Sequence, residues 1–174
     1  MSIPREAQPA KLICSMLIRP DATCGAVMKK LIGKFGQVDL LSEPFPFDKT
    51  EYYEKEMGKV VRRVASFENL VAPERLPEIK LATNLLENDF RVDDKRTVNL
   101  DPGLVTVGHL VLATGKGAGH RPYLGRGVYA DMTLIYEQGE FRTLPWTYPD
   151  YSDPQMLNLM VKIRDKYLRD RRSK

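Results

Sequence analysis

Cysteine is almost absent from this 174-residue chain: Cys14 and Cys24 are the only two, and they lack CxxC spacing. Zinc and dithiol redox centres need more thiolate or imidazole ligands at closer spacing, so both are excluded. Histidine is as scarce, with His109 and His120 alone. No serine or cysteine sits in a nucleophile elbow, which leaves nucleophilic catalysis poorly supplied. Long apolar runs are missing too. Leu12–Ile18 and Leu104–Ala113 are the longest, both interrupted by polar residues or glycine, and a membrane span needs about 20 apolar residues. The N-terminal stretch MSIPREAQPAK has no apolar core of the kind a secretory signal carries, so a cytoplasmic protein is expected. Neither a GxxxxGK[ST] phosphate loop nor an Asn-Lys-x-Asp guanine reader occurs. Heptads, internal repeats and low-complexity segments are likewise missing.

What is present fits one ordinary domain. Hydrophobic residues make up 43% of the chain and charged residues 29%. A chain of this length buries roughly 70% of its unfolded surface and needs no disulfide or metal to fold. The net charge of +4 is unevenly placed. Lys162 to Lys174 holds seven basic and two acidic residues, a charge of +5, which leaves the rest of the chain at −1. The basic character therefore belongs to the C-terminal segment, and a nucleic-acid reading of the whole chain loses force.

Periodicity divides the chain into elements. Lys11–Pro20 reads as a buried strand closed by a turn. Asp21 is placed to cap a helix in which Cys24, Val27, Met28, Leu31 and Phe35 form the apolar face, and Gly36 supplies the left-handed stop. Cys24 is expected on that face as a small buried hydrophobe. A second strand from Gln37 to Asp48 frays at Pro44 and Pro46. Glu51–Lys59 is a polar connection, and Val60–Val71, rich in β-branched residues, is a third strand. Pro73–Phe90 is the second helix. Leu76, Ile79, Thr83, Leu86 and Phe90 are its expected buried stripe, while Lys80, Asn84 and Glu87 are expected on a solvated face with ion-pair spacing.

Arg91–Arg96 is a charged turn, Thr97–Leu100 a fourth strand, and Asp101-Pro102-Gly103 carries the residues of a turn. Leu104–Thr114 fits a strand or a short buried helix. A glycine-rich loop follows, then strands joined at Gly125-Arg126-Gly127 and at Gln138-Gly139. The last helix starts at an Asp153 cap with Pro154 in its first turn, and Met156, Met160, Ile163 and Tyr167 form its stripe. The expected fold is a single α+β domain over residues 1–174. Its core is a ferredoxin-like βαββαβ unit extended by a strand hairpin and a C-terminal helix. Residues 1–10 are expected as an extended segment and 168–174 as a frayed basic tail.

Five phrases in this order, FPFDKTEYYEKEMG (45–58), LPEIKLATNLLE (76–87), VNLDPG (98–103), GHRPYLGRGVYADMTL (119–134) and LPWTYPDY (144–151), carry a likeness. The chain resembles the prokaryotic family catalogued as domain of unknown function 4416, over nearly its whole length apart from the basic tail. Family members often bear the label GTP-binding protein, for which this sequence holds no motif. Lys116 and His120-Arg121 match the family's pattern. The glycines between them depart from it, and Asp131 stands where glutamate is more usual.

The sharpest candidate site is Thr114-Gly115-Lys116-Gly117-Ala118-Gly119-His120-Arg121. Successive glycines free backbone N–H groups to form an anion-holding nest, with Lys116, His120 and Arg121 adding cationic donors. The plain alternative is a mobile, solvated hairpin connection. Asn99 and Asp101 fall on one face of a strand end and suit Mg²⁺ opposite a phosphate, with Asp101 as the ligand; turn capping by Asp101 is the plain alternative. Asp48, Tyr52 and Glu54 offer acid, base or clamp chemistry, or a solvated helical turn. Trp146, Tyr148 and Tyr151 suit stacking on a base or, more simply, packing over a sheet edge. His109, inside an apolar run, reads as a core residue.

These residues frame three functions. The first is a small enzyme or sensor for a phosphorylated or nucleotide-like ligand. Asp101 and His120 would act as catalytic groups, and Lys116, Arg121, Asn99, Asp48, Tyr52, Glu54 and Asp131 would bind. It requires Lys116, His120 and Asp101 to converge on one volume. The second is a non-catalytic protein-interaction module docking through the aromatic-proline segment. The third is an RNA-binding module using its sheet and basic helix, although VVRRVASF does not match the usual aromatic signature.

Overall fold

The computed structural model describes residues 3–19, 24–47 and 57–172. Asp21, Asp48, Tyr52 and Glu54 lie outside the described residues, as does most of the Glu51–Lys59 connection. At the centre is β1 (Ala10–Ile18), every residue of which is buried. A strand can be buried throughout only if both faces of its sheet are covered, and both are. Leu12, Cys14, Met16 and Ile18 pack with Val27, Met28 and Leu31 of α1 (Cys24–Phe35) and with Leu76 and Ile79 of α2 (Leu76–Asn88). On the opposite face, Ile13 joins Met156, Leu159, Met160 and Ile163 of α3 (Pro154–Asp170).

α1 ends where the glycine permits it: Gly36 takes φ +95° and its N–H bonds to the Ile32 carbonyl. Cys24 is only half-buried, and its sulfur accepts from the Arg63 guanidinium at 3.5 Å. The region after α1 splits into β2 (Val38–Leu41) and β3 (Phe45–Pro46), both paired antiparallel to β4 (Val61–Val71). Arg91–Arg96 closes as a two-strand hairpin, β5 (Arg91–Val92) and β6 (Lys95–Arg96), with Asp93 and Asp94 both at positive φ. α3 starts at its expected cap, the Asp153 carboxylate accepting from Gln155 N at 2.9 Å.

β7 (Val98–Val105) contains Asp101-Pro102-Gly103 in its middle, so the expected turn there is a strand. All eight residues pair with β1. Beyond a turn at residues 106–108 comes β8 (His109–Thr114), so Leu104–Thr114 is two strand segments and no helix. His109 is half-buried at the start of β8, and burial lowers its pKa. β8 pairs with β10 (Val128–Glu137), which is flanked by β9 (Tyr123–Gly125) and β11 (Glu140–Thr143). The sheet order is β11-β10-β8-β7-β1-β4-β2, with all neighbours in it antiparallel, so the architecture is mixed α+β in one domain.

Two corrections concern buried charge. Lys80 and Glu87, expected on a solvated helix face, are buried; Asn84 alone of that set is exposed. The expected fray from residue 168 is also absent up to Asp170, because α3 runs to that residue and its carboxylate lies 2.6 Å from the fully buried Lys11 ammonium. Lys11 pairs with Asp39 as well, and burial is outweighed by these bonds, so the Asp39 carboxyl is held below its ordinary range.

Candidate functional site

β7 and β8 are partners only over Gly103–Leu112, Leu104–Val111 and Val105–Leu110. Past that point they diverge, β7 staying with β1 and β8 with β10. The residues of the apparent turn explain why. A Cβ on Gly103 would sit 2.7 Å from the Val111 carbonyl oxygen and from the Leu112 side chain, so glycine permits the close approach. Pro102 has no N–H to offer a further partner. By strand alternation its nitrogen faces the same way as the backbone of Leu100, away from β1.

The strand edge left open is satisfied by side chains from the helix beneath. Lys80 donates to the Leu100 carbonyl at 3.0 Å, and Glu87 Oε1 accepts the Leu100 N–H at 2.7 Å. Lys80 and Glu87 thus stand in for a missing strand. A buried backbone group without a partner costs about as much as a lost hydrogen bond, so this substitution is obligatory.

The same residues hold the side chains of the site. Lys80 Nζ is 2.9 Å from Asp101 Oδ1, and Asn99 donates to Asp101 Oδ2 at 2.6 Å. Arg96 donates to Asn99 Oδ1 at 3.2 Å and to Glu87 Oε2 at 3.3 Å, closing a ring around the Leu100 peptide. Burial raises the Asp101 pKa, but the charges of Lys80 and Arg62 and the bonds from Lys80 and Asn99 prevail, so its carboxyl is held below the usual carboxylate range. Burial works against the Lys80 charge, yet Asp101 and Glu87 outweigh it and its pKa rises. Glu87 goes the other way from Asp101: burial raises it, and the Leu100 N–H and Lys80 offset this only in part.

The divergence opens a cleft of about 550 Å³. β7 supplies one wall with Asn99 and Asp101; Leu112 to Lys116 supply the opposite one, with Asp131 of β10 beside them. Lys80 and Asn84 come from α2, Arg96 from the hairpin, and Tyr148, Asp150 and Tyr151 from the connection before α3. Arg62 of β4 is fixed between the rings of Phe47 and Tyr151, at 5.0 and 5.2 Å from their centroids. It donates to the Ser15 hydroxyl and lies 2.6 Å from Asp150. Burial pushes the Tyr151 phenol well above its ordinary pKa, so it stays neutral.

The expected residues are therefore only partly brought together. Lys116, Asn99, Asp101 and Asp131 line one cleft, but His120 is not in its wall. The His120 ring instead stacks on Trp146 with centroids 4.9 Å apart, and its buried Nε2 has no hydrogen-bond partner among the described residues. Arg121 acts behind the wall. It bonds to Asp131 Oδ2 at 2.8 Å, to the Tyr148 hydroxyl at 2.9 Å and to the Lys116 carbonyl at 3.1 Å. None of Gly115, Gly117 and Gly119 takes the left-handed conformation, so the nest of alternating hand does not form. Gly117 instead packs on the Tyr129 ring.

Both Asp101 oxygens already accept from Lys80 and Asn99. Among the described residues no three of His, Cys, Asp and Glu gather to hold a metal ion. Lys80, Glu87, Asn84, Arg62 and Arg96 were not legible as site residues. The signal for two of them was nevertheless in the chain: Lys80 and Glu87 lie three before and four after Thr83, a member of the buried stripe, and so share its helix face.

Fold and cleft together define a one-domain α+β protein with a charged cleft opened by a split sheet. The chain matches the family described as a domain of unknown function, DUF4416, over residues 8–167, and it belongs to that family. No curated protein and no solved structure matches it. Among the described residues no helix is long and apolar enough to cross a membrane.

Proposed function

We propose that the cleft between β7 and β8 binds a small phosphorylated or nucleotide-like ligand. The expected convergence of Lys116, His120 and Asp101 fails at His120, which leaves His120 without a catalytic part here; a different convergence, of cations, supports the binding reading. Arg62, Lys80, Arg96 and Lys116, from four separate parts of the chain, line one volume of about 550 Å³, within the range of small-molecule sites. With Arg121 behind the wall, five basic groups face Asp101, Asp131, Asp150 and Glu87. Asp101, ionised and 27% exposed, is the group placed to accept a proton or hydrogen bond from the ligand. Arg121 serves as a positioning residue for Asp131 and Tyr148. The ferredoxin-like reading of the core is supported by the order β7-β1-β4-β2 with α1 and α2 on one face.

The competing readings draw less support. Both faces of the sheet are covered at β1, which removes the open platform an RNA module stacks bases on. Basic residues of α3 are engaged within the fold: Arg164 donates to the Val107 carbonyl at 2.7 Å and covers the Tyr136 ring. Trp146 donates to the Met132 carbonyl and Tyr148 bonds Arg121, so the aromatics of a docking reading are engaged within the fold.

The test is thermal unfolding against a panel of phosphates, sugar phosphates and nucleotides. A ligand at 100 times its Kd adds about 2.7 kcal/mol, which for a domain of this size raises Tm by about 5–11 °C. A shift that disappears in Lys116→Ala is the expected result. No shift across the panel, or shifts that survive both Lys116→Ala and Asp101→Asn, would overturn the reading.

A further inference from the structure

This inference rests on the reading of the cleft as a site for a phosphorylated ligand and narrows it. Four charges in the cleft wall stand in alternating order. Asp150 lies 2.6 Å from Arg62 Nε, and Arg62 Nη1 donates to the Ser15 hydroxyl. Ser15 is paired across the strands with Asp101, so the two side chains share a face with Cβ atoms about 4.5–5.5 Å apart. Asp101 in turn is 2.9 Å from Lys80.

The middle pair of this series has capacity left. Among the described residues, Arg62 Nε and Asp150 Oδ2 are buried without an aligned hydrogen bond despite their short separation. Ser15 approaches the Tyr151 hydroxyl beside them, which completes no well-formed bond either. Buried polar atoms in native proteins are seldom left in this state, and those that are often belong to functional groups. Arg62 Nη2 also makes no hydrogen bond among the described residues, and the guanidinium lines the cleft. Phe47 and Tyr151 already hold that group in place, so little side-chain freedom is lost when it binds. Asp101 uses one site on each oxygen, for Lys80 and Asn99, of the four or so a carboxylate has. A lone phosphate at Arg62 would stand between two carboxylates. A positive group on the same ligand, bound at Asp101, offsets that repulsion and adds a charge-assisted hydrogen bond.

We propose that the ligand is an amine-bearing phosphate ester, its phosphate bound by Arg62 and its ammonium group bound by Asp101 about 5 Å away. Asp150 is the positioning residue for Arg62.

The intact protein is titrated calorimetrically with ethanolamine phosphate, ethyl phosphate and inorganic phosphate. Ethanolamine phosphate is expected to bind at least about tenfold more tightly than ethyl phosphate, the worth of one charge-assisted bond. Asp101→Asn should remove that advantage while ethyl phosphate still binds. Arg62→Gln combined with Asp150→Asn removes the ion pair as a unit, strands no buried charge, and should abolish binding of both esters. The comparison of the two esters is made on the unaltered protein and so holds whether or not a variant folds. Equal affinity for them overturns the amine and leaves the phosphate reading standing. Binding that is lost in Lys116→Ala but kept in the double variant overturns the role of Arg62 and moves the phosphate to the loop. Binding of none of the three overturns this assignment, and the wider panel of phosphates and nucleotides then decides the broader reading.

Discussion

Among the described residues two lysines, Lys11 and Lys80, are buried between carboxylates, and they do opposite work. Lys11 lies between Asp39 and Asp170, and Lys166 adds a second ammonium 3.4 Å from Asp39. Its partners come from β2 and from the last residue of α3, distant in the chain, so the cluster fastens the C-terminal helix to the sheet. Lys80 pairs with Asp101 on the neighbouring strand and with the backbone of Leu100. There the ammonium completes an edge that has lost its partner strand and keeps two strands apart. One cluster seals the fold, and the other holds a cleft open. Burial of a charged pair therefore does not identify a site; what matters is whether space remains beside it.

Variants at Lys11, Gly103 and Glu87 and a titration sharpen this contrast. The largest effect is expected from Lys11→Met, which takes the nearer cation from Asp39 and Asp170 and leaves Lys166 beside them. Breaking one partner out of a buried pair costs about 3–5 kcal/mol, or about 6–20 °C in Tm for a domain of this size. Ligand-induced shifts, measured from the lowered baseline, should persist. Equal loss of stability and ligand response would mean that the two clusters are coupled. Next is Gly103→Ala, whose added Cβ meets the Val111 carbonyl oxygen at 2.7 Å. Overpacking of this kind costs about 1–3 kcal/mol, and chemical denaturation would measure it. A neutral result would show that β8 can move away freely.

Glu87 gives a paired test. Glu87→Ala strands the Leu100 N–H and is expected to cost about 1–3 kcal/mol. Glu87→Gln keeps the acceptor and removes a charge that burial disfavours, so it should cost less at neutral pH. If the two variants were equally destabilised, the charge rather than the hydrogen bond would be the essential feature.

The smallest effect is the pH dependence. Asp39 and Asp101 both have lowered pKa values. Their contributions are complete above the unfolded carboxylate value of about 3.9 and are lost as pH falls through the lower folded values. Glu87, being raised, favours the folded state when protonated and gives up stability as pH rises from about 4.3 through its folded value. In an acid titration of stability, Asp101→Asn should therefore flatten the loss below pH about 4, whereas Glu87→Gln should not. An unchanged acid limb in Asp101→Asn would place that loss entirely at Asp39 and its neighbours.

Much of the fold was legible because its signals are local. The helix faces of α1 and α3, the Gly36 stop, the Asp153 cap and the glycine turns near residues 126 and 138 depend on residues within a few positions of one another. Asp101-Pro102-Gly103 misled for the same reason. Its composition is that of a turn, but a proline at a strand's open edge and a glycine under a crossing strand use identical residues for a different purpose. Lys80 and Glu87 look solvated in the sequence because charged residues on helices usually are. Their burial depends on a neighbouring strand edge that helix periodicity does not report.

By itself, the sequence determined the α+β class, the placement of its helices, the strand that forms the centre and the family to which the chain belongs. These follow from apolar spacing, from backbone preferences of glycine and proline, and from extended matching phrases. Only the tertiary structure decided where β7 and β8 part, that Lys80, Glu87 and Lys11 are buried, and that His120 stacks on Trp146 outside the cleft. Each of those depends on which backbone groups lack a strand partner and which charges meet across the fold, and such pairings join residues that have no periodic relation along the chain.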